Sequence, residues 1–160
     1  IKAAALLGAA TRKDTEVEVD TSEIADAVSE MANNSKKTEI PRILWVDDIP
    51  SNNYYEREAL EQMGIEFGIV KSTEEAINKL EKSKYDLIIS DMGRPPDSRA
   101  GYTLLDALRK KGINTPFVIY AGSRSLEHRN ESIKHGAIGC TNRPDELFVL
   151  VSQGLLVASR

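Results

Sequence analysis

Cysteine is nearly absent from this chain. Cys140 is the single one among 160 residues, so no disulfide can form within it. A domain of this size can be stable without one, and a lone thiol fits a reducing, cytoplasmic setting. Histidine is almost as scarce: His128 and His135 are the only two, and their spacing does not suit a metal centre built on imidazole. No apolar run approaches the ~20 residues of a membrane-spanning helix. The opening segment Ile1–Ala10 is apolar but too short to span, and it does not read as a signal peptide. Positive charge is not in excess either. The formal net charge is −4 and the basic residues are dispersed, which argues against a nucleic-acid surface. The first residue is not Met, so the chain reads as a piece of a longer one. What remains is an ordinary globular balance, 41% hydrophobic and 29% charged.

Two regions differ in character. Residues 1–40 are rich in Ala, Thr, Ser, Glu and Asn and carry no aromatic side chain. Within them, Thr15–Asp20 alternates at period two, as a short strand would. Asp20 and Glu23 resemble a capping box, and Ile24, Val28 and Met31 then form one stripe at helical spacing. Residues 33–37, Asn-Asn-Ser-Lys-Lys, read as a linker. The plain reading is a connector; the sharper one is a helix that makes a homodimer. The stripe is shorter than the heptads a coiled coil needs, which favours the connector.

Residues 41–160 alternate strand and helix five times. Ile43–Val46 is a continuous apolar run, as expected of a strand buried on both faces. A helix is expected over Ser51–Met63, stopped by Gly64, and a weaker strand over Glu66–Val70. Ser72-Thr-Glu-Glu75 is a capping box opening a helix with Ala76, Ile77 and Leu80 inward. Tyr85–Ser90 is the third strand, followed by a helix over Gly101–Lys111 with Leu104, Leu105 and Leu108 inward. Phe117–Ala121 is the fourth strand, Ser123–His135 a helix, and Ala137–Thr141 the fifth strand. Pro144 opens a last helix whose Leu147, Leu150, Val151 and Leu155 share one face. Such alternation implies an α/β, doubly wound parallel sheet with helices on both faces. Trp45 lies inside an apolar strand and reads as core.

Three carboxylates follow buried apolar runs: Asp47 and Asp48 after the first strand, Asp91 after the third. Acidic residues there often only cap turns. In open α/β sheets, however, sites form beyond the carboxyl ends of strands. If the first and third strands are neighbours, the three converge. Their mutual repulsion is relieved by a hard dication, and Mg2+ suits one or two carboxylates with waters and phosphate oxygens. A carboxylate in such a site can also act as a nucleophile toward phosphorus.

Beyond spacing, three segments resemble response regulator receiver domains: Ile43-Leu-Trp-Val-Asp-Asp-Ile-Pro-Ser-Asn52, Tyr85-Asp-Leu-Ile-Ile-Ser-Asp-Met-Gly-Arg-Pro95 and His135-Gly-Ala-Ile-Gly-Cys-Thr-Asn-Arg-Pro144. The likeness runs from about Arg42 to Val157. It implies a flavodoxin-like receiver fold, five-stranded with order 2-1-3-4-5. It also implies that Asp91 is the phospho-acceptor in a two-component phosphorelay. Mg2+ would be held by Asp48 directly, by Asp47 through water, by Asp91, and by the backbone carbonyl of Gly93. The implied partner is a histidine kinase or phosphotransfer protein.

The chain departs from that pattern where receivers read out the phosphoryl group. Ala121 stands where a Thr or Ser usually ends the fourth strand, with Gly122 and Ser123 following. Losing that hydroxyl removes a charge-assisted hydrogen bond of about 1.5–3 kcal/mol. Arg143 replaces a lysine, and its planar fork is not an ammonium point charge. Cys140 takes the place of the switch aromatic, and its position beside the pocket leaves a redox role open. The loop from Met92 to Ala100 is longer than usual and carries Arg94 and Arg99. The competing reading is therefore a phosphorylation-independent pseudo-receiver, working as an interaction or dimerisation module. A Mg2+-dependent phosphohydrolase is disfavoured because Asp91-Met-Gly93 lacks a second carboxylate to serve as general acid. A flavodoxin-like cofactor site is disfavoured by Asp47-Asp48, which would repel a phosphate. The chain is thus expected to be a signalling module rather than an enzyme.

Overall fold

The computed structural model describes residues 40–122 and 125–158. The strand and helix expected before residue 40 lie outside the described residues, as does Ser123. Five strands carry the domain: β1 (Arg42–Val46), β2 (Glu66–Val70), β3 (Leu87–Ser90), β4 (Phe117–Tyr120) and β5 (Gly139–Thr141). Between and after them come α1 (Tyr54–Glu61), α2 (Thr73–Lys82), α3 (Ala100–Lys110), α4 (Leu126–His135) and α5 (Pro144–Ala158). All pairings are parallel and the order is β2-β1-β3-β4-β5, as the resemblance implies.

The apolar run of β1 follows from burial on both faces. Ile43 and Trp45 join Ala59 and Leu60 of α1 and Leu147, Phe148, Val151 and Leu155 of α5. Leu44 and Val46 point the other way, into a cluster with Ala76 of α2 and Leu104, Leu105 and Leu108 of α3. Period-two alternation is invisible when both faces are dry. Trp45 is core, as its sequence context predicts, with the rings of Phe67 and Tyr120 at 5.9 and 6.0 Å. The weaker pattern of β2 has its own cause: it is an edge strand, and Ile69 is exposed.

The caps act largely as read. Ser72 Oγ accepts from the Glu75 backbone N–H at 3.1 Å, while the Glu75 carboxylate reaches back to the N–H of Lys71 at 3.0 Å, one residue before the cap. Gly136 ends α4 at φ +105°, a left-handed conformation that favours glycine. Some boundaries differ. The first helix opens with a 3-10 turn over Pro50–Asn53. The third strand starts at Leu87 rather than Tyr85, because Asp86 turns aside to cap β1. Its carboxylate accepts the Arg42 N–H at 2.8 Å, and its own N–H donates to the Arg42 carbonyl at 2.8 Å. The fourth helix starts at Leu126, with Ser125 Oγ accepting from the His128 N–H. Among the described residues no helix is long and apolar enough to cross a membrane.

Candidate functional site: an acidic pocket at the carboxyl end of the sheet

Register brings the carboxylates together. Val46 pairs with Ser90, so Asp47 and Asp91 leave adjacent strands side by side. Their backbones remain tied to the sheet, Asp91 N–H to Val46 O and Asp47 N–H to Val70 O, both at 3.0 Å. Asp47, Asp48 and Asp91 each offer an oxygen within 4.8 Å of the others, and all three are half-buried. The pocket around them is about 790 Å³. It is lined also by Gly93, Ala121, Gly122 and Arg143.

Asp47 is held on both oxygens. Oδ1 accepts the Ile49 N–H at 2.8 Å, and Oδ2 accepts from Asn53 Nδ2 at 3.0 Å. Asn53 is itself buried and steadied by Arg57, whose Nε donates to its Oδ1 at 2.7 Å. Burial is the main force pushing the Asp47 carboxyl above its usual range, and the charge of Asp48 adds to it; the Ile49 and Asn53 bonds oppose it.

Asp91 is the most perturbed of the three. Burial drives its carboxyl up to about 6; the Arg94 charge opposes this and the Asp47 charge assists it. Arg94 forms an ion pair with Asp91 Oδ1, yet desolvation outweighs that attraction. The other oxygen, Oδ2, is buried with no hydrogen-bond partner among the described residues. The backbone N–H of Asp48 faces the same carboxyl and opposes the rise, too weakly to offset burial.

Arg94 is what sequence reasoning placed only in a long loop. Its side chain is 6% exposed. Beyond Asp91, its guanidinium donates to Ser90 Oγ at 3.2 Å, Thr73 Oγ1 at 2.8 Å and the Ala100 carbonyl at 3.3 Å. The loop that carries it is ordered by its own bonds: Arg94 and Asp97 exchange backbone hydrogen bonds, and Asp97 caps the start of α3 through the Arg99 N–H and the Thr103 hydroxyl. A buried arginine must be paired. An arginine three residues after a strand-end aspartate was the only sequence signal.

Arg143 lines the pocket but forks onto Asp145, Nε to Oδ1 at 2.9 Å and a terminal nitrogen to Oδ2 at 2.6 Å. Ala121 and Gly122 line the same pocket. Cys140 is not among the pocket residues: paired with Ile119, it packs into the cluster beneath α3, and burial pushes its thiol up, away from reactivity. Tyr120 and Glu56 form another wall, the phenol donating to the carboxylate at 2.7 Å.

Comparison with known proteins agrees with this fold. The family model for the response regulator receiver domain matches residues 43–152. The sensor histidine kinase RcsC of Salmonella typhimurium is 25% identical over 144 residues, 90% of this chain but 15% of RcsC. The regulatory protein LuxO of Vibrio cholerae is 30% identical over 118 residues, 72% of this chain and 26% of LuxO. The chain thus spans a small part of these relatives. Among solved structures, the receiver domain of the Francisella response regulator 1452 aligns with TM-score 0.65 and 28% identity, over 75% of this chain and 99% of that one. The signal receiver domain of a LuxO repressor protein from Vibrio parahaemolyticus aligns with TM-score 0.66 and 26% identity, over 74% and 92%.

Proposed function

The chain belongs to the response regulator receiver domain family, and we propose that it serves two-component signalling by accepting a phosphoryl group on Asp91. The observation that carries this is the convergence of three half-buried carboxylates, Asp91 among them with an Oδ2 that has no hydrogen-bond partner among the described residues. The donor set is all oxygen, which suits Mg2+. Asp48, Asp91, the Gly93 carbonyl and, through water, Asp47 would hold it, and when bound it neutralises charge on the incoming phosphoryl group.

The chain's own residues supply the rest. The ionised carboxylate of Asp91 is the nucleophile, and a dication beside it would hold it ionised. Oδ2 attacks phosphorus, the bond from phosphorus to the donor breaks, and the donor leaves with that electron pair. Asn53 and the Ile49 N–H keep Asp47 from swinging into the path. The donor would be a histidine kinase or phosphotransfer protein, in the cytoplasm.

A second reading is favoured by Ala121 and by the fork of Arg143 on Asp145: a pseudo-receiver that docks or dimerises without phosphorylation. The deciding experiment is intact mass after incubation with Mg2+ and acetyl phosphate. One phosphoryl adduct on the wild type, absent from Asp91→Ala and from a metal-free sample, supports the acceptor. No adduct, with no Mg2+-dependent response of Trp45 fluorescence to beryllofluoride, leaves the interaction module.

A further inference from the structure

Arg94 is a charged side chain sealed inside the domain, and the acceptor mechanism does not use it. Three neutral acceptors from three elements hold it: Ser90 Oγ at the end of β3, Thr73 Oγ1 at the start of α2 and the Ala100 carbonyl at the start of α3. Its guanidinium is therefore positioned independently of the state of Asp91. The fourth partner is Asp91 Oδ1, so Oδ2, buried and without a hydrogen-bond partner among the described residues, is assigned as the oxygen that bonds to phosphorus.

We propose that Arg94 stabilises Asp91 as a leaving group, so that the aspartyl phosphate of this domain is short-lived. The inference rests on the acceptor reading. In the phosphorylated state Oδ1 is a neutral acyl carbonyl. In hydrolysis a water oxygen bonds to phosphorus, the bond between phosphorus and Oδ2 breaks, and its electron pair returns to the Asp91 carboxylate. A water proton leaves with inorganic phosphate or to solvent. Negative charge therefore develops over Oδ1 and Oδ2 in the transition state, where Arg94 already sits. A donor aimed at developing charge accelerates the step that creates it. Reversal of the same argument makes Asp91 a poorer acceptor while Arg94 holds it. Arg143 is less suited to this role, since its fork is turned to Asp145.

The test follows adduct decay by intact mass after removal of acetyl phosphate, in wild type, Arg94→Gln and Thr73→Val. Arg94→Gln is expected to slow decay about tenfold or more, the effect of one charge-assisted hydrogen bond present mainly in the transition state. Thr73→Val, which keeps the arginine and loosens one anchor, is expected to fall between. Should Arg94→Gln fail to fold, Thr73→Val still decides the matter, because Thr73 is only half-buried. Mg2+ affinity without donor, read by calorimetry, is expected to rise about tenfold in Arg94→Gln, since one cation fewer neutralises Asp91. An adduct confined to Arg94→Gln also supports the proposal. Decay at the wild-type rate in the variants, or unchanged Mg2+ affinity, overturns it and leaves the acceptor reading intact. Absence of any adduct in every protein, with no Mg2+-dependent response of Trp45 fluorescence to beryllofluoride, overturns both.

Discussion

Gly101 lies so close to the backbone of Asp91 that a Cβ on it would stand 2.6 Å from the Asp91 carbonyl oxygen. Its N–H donates to the Met92 carbonyl at 2.7 Å. The first turn of α3 is thereby seated on the strand end that carries Asp91, and the site is built on two packed elements rather than on a free loop.

Gly101→Ala therefore carries opposing effects. Alanine in a helix gains about 1 kcal/mol over glycine, whereas forcing a Cβ against main chain costs about 1–3 kcal/mol. The clash is with backbone, which cannot rotate away, so a net loss of stability is expected by urea denaturation. The shift also displaces Asp91, and adduct yield with acetyl phosphate is expected to fall.

The Asp91 carboxyl gives the fold a pH signature. It sits at about 6 against an ordinary 3.8. Between those values the folded state holds a proton that the unfolded state has released, so the contribution of Asp91 to stability falls as pH rises through the window. The full span corresponds to at most about 3 kcal/mol. Denaturation of the metal-free wild type and Asp91→Asn from pH 4 to 7 reads this directly. The stability of Asp91→Asn relative to wild type is expected to climb between pH 4 and 6 and then level off. A constant difference would show that Asp91 is not buried as described.

The pair of Tyr120 and Glu56 is a stability element in the pocket wall. Tyr120→Phe removes a donor to a buried carboxylate, at a cost of about 1.5–3 kcal/mol. Equilibrium unfolding at neutral pH measures it, and a loss below about 0.5 kcal/mol would mean that other partners of Glu56 suffice.

Ala121 lines the same cavity as Asp91, at the position where receivers usually carry a hydroxyl. Ala121→Thr is expected to lengthen the life of the phosphoryl adduct about tenfold by adding one charge-assisted hydrogen bond. Unchanged decay would place Ala121 out of reach of the phosphoryl group.

Much of this was legible residue by residue. The run Ile43–Val46, the capping box at Ser72–Glu75 and the face of Leu104, Leu105 and Leu108 are short-range patterns. They placed strands and helices to within a few residues. Asp86 shows where such reading stops. Its apolar neighbours predict strand, but its side chain captures the first N–H of β1, a choice set by a residue 44 positions away.

The amino-acid order alone determined the alternation of elements, the strand-end places of Asp47, Asp48 and Asp91, and the absence of a hydroxyl at Ala121, because these depend on neighbours along the chain. Only the tertiary structure decided which cation meets Asp91. Arg94 and Arg143 are equally charged in the sequence, and either could have served. Thr73 and Ala100, brought to the end of β3 by two different helices, bury Arg94 against Asp91, while Asp145 takes the fork of Arg143. A buried charge goes where several acceptors converge, and that convergence exists only once the helices are packed on the sheet.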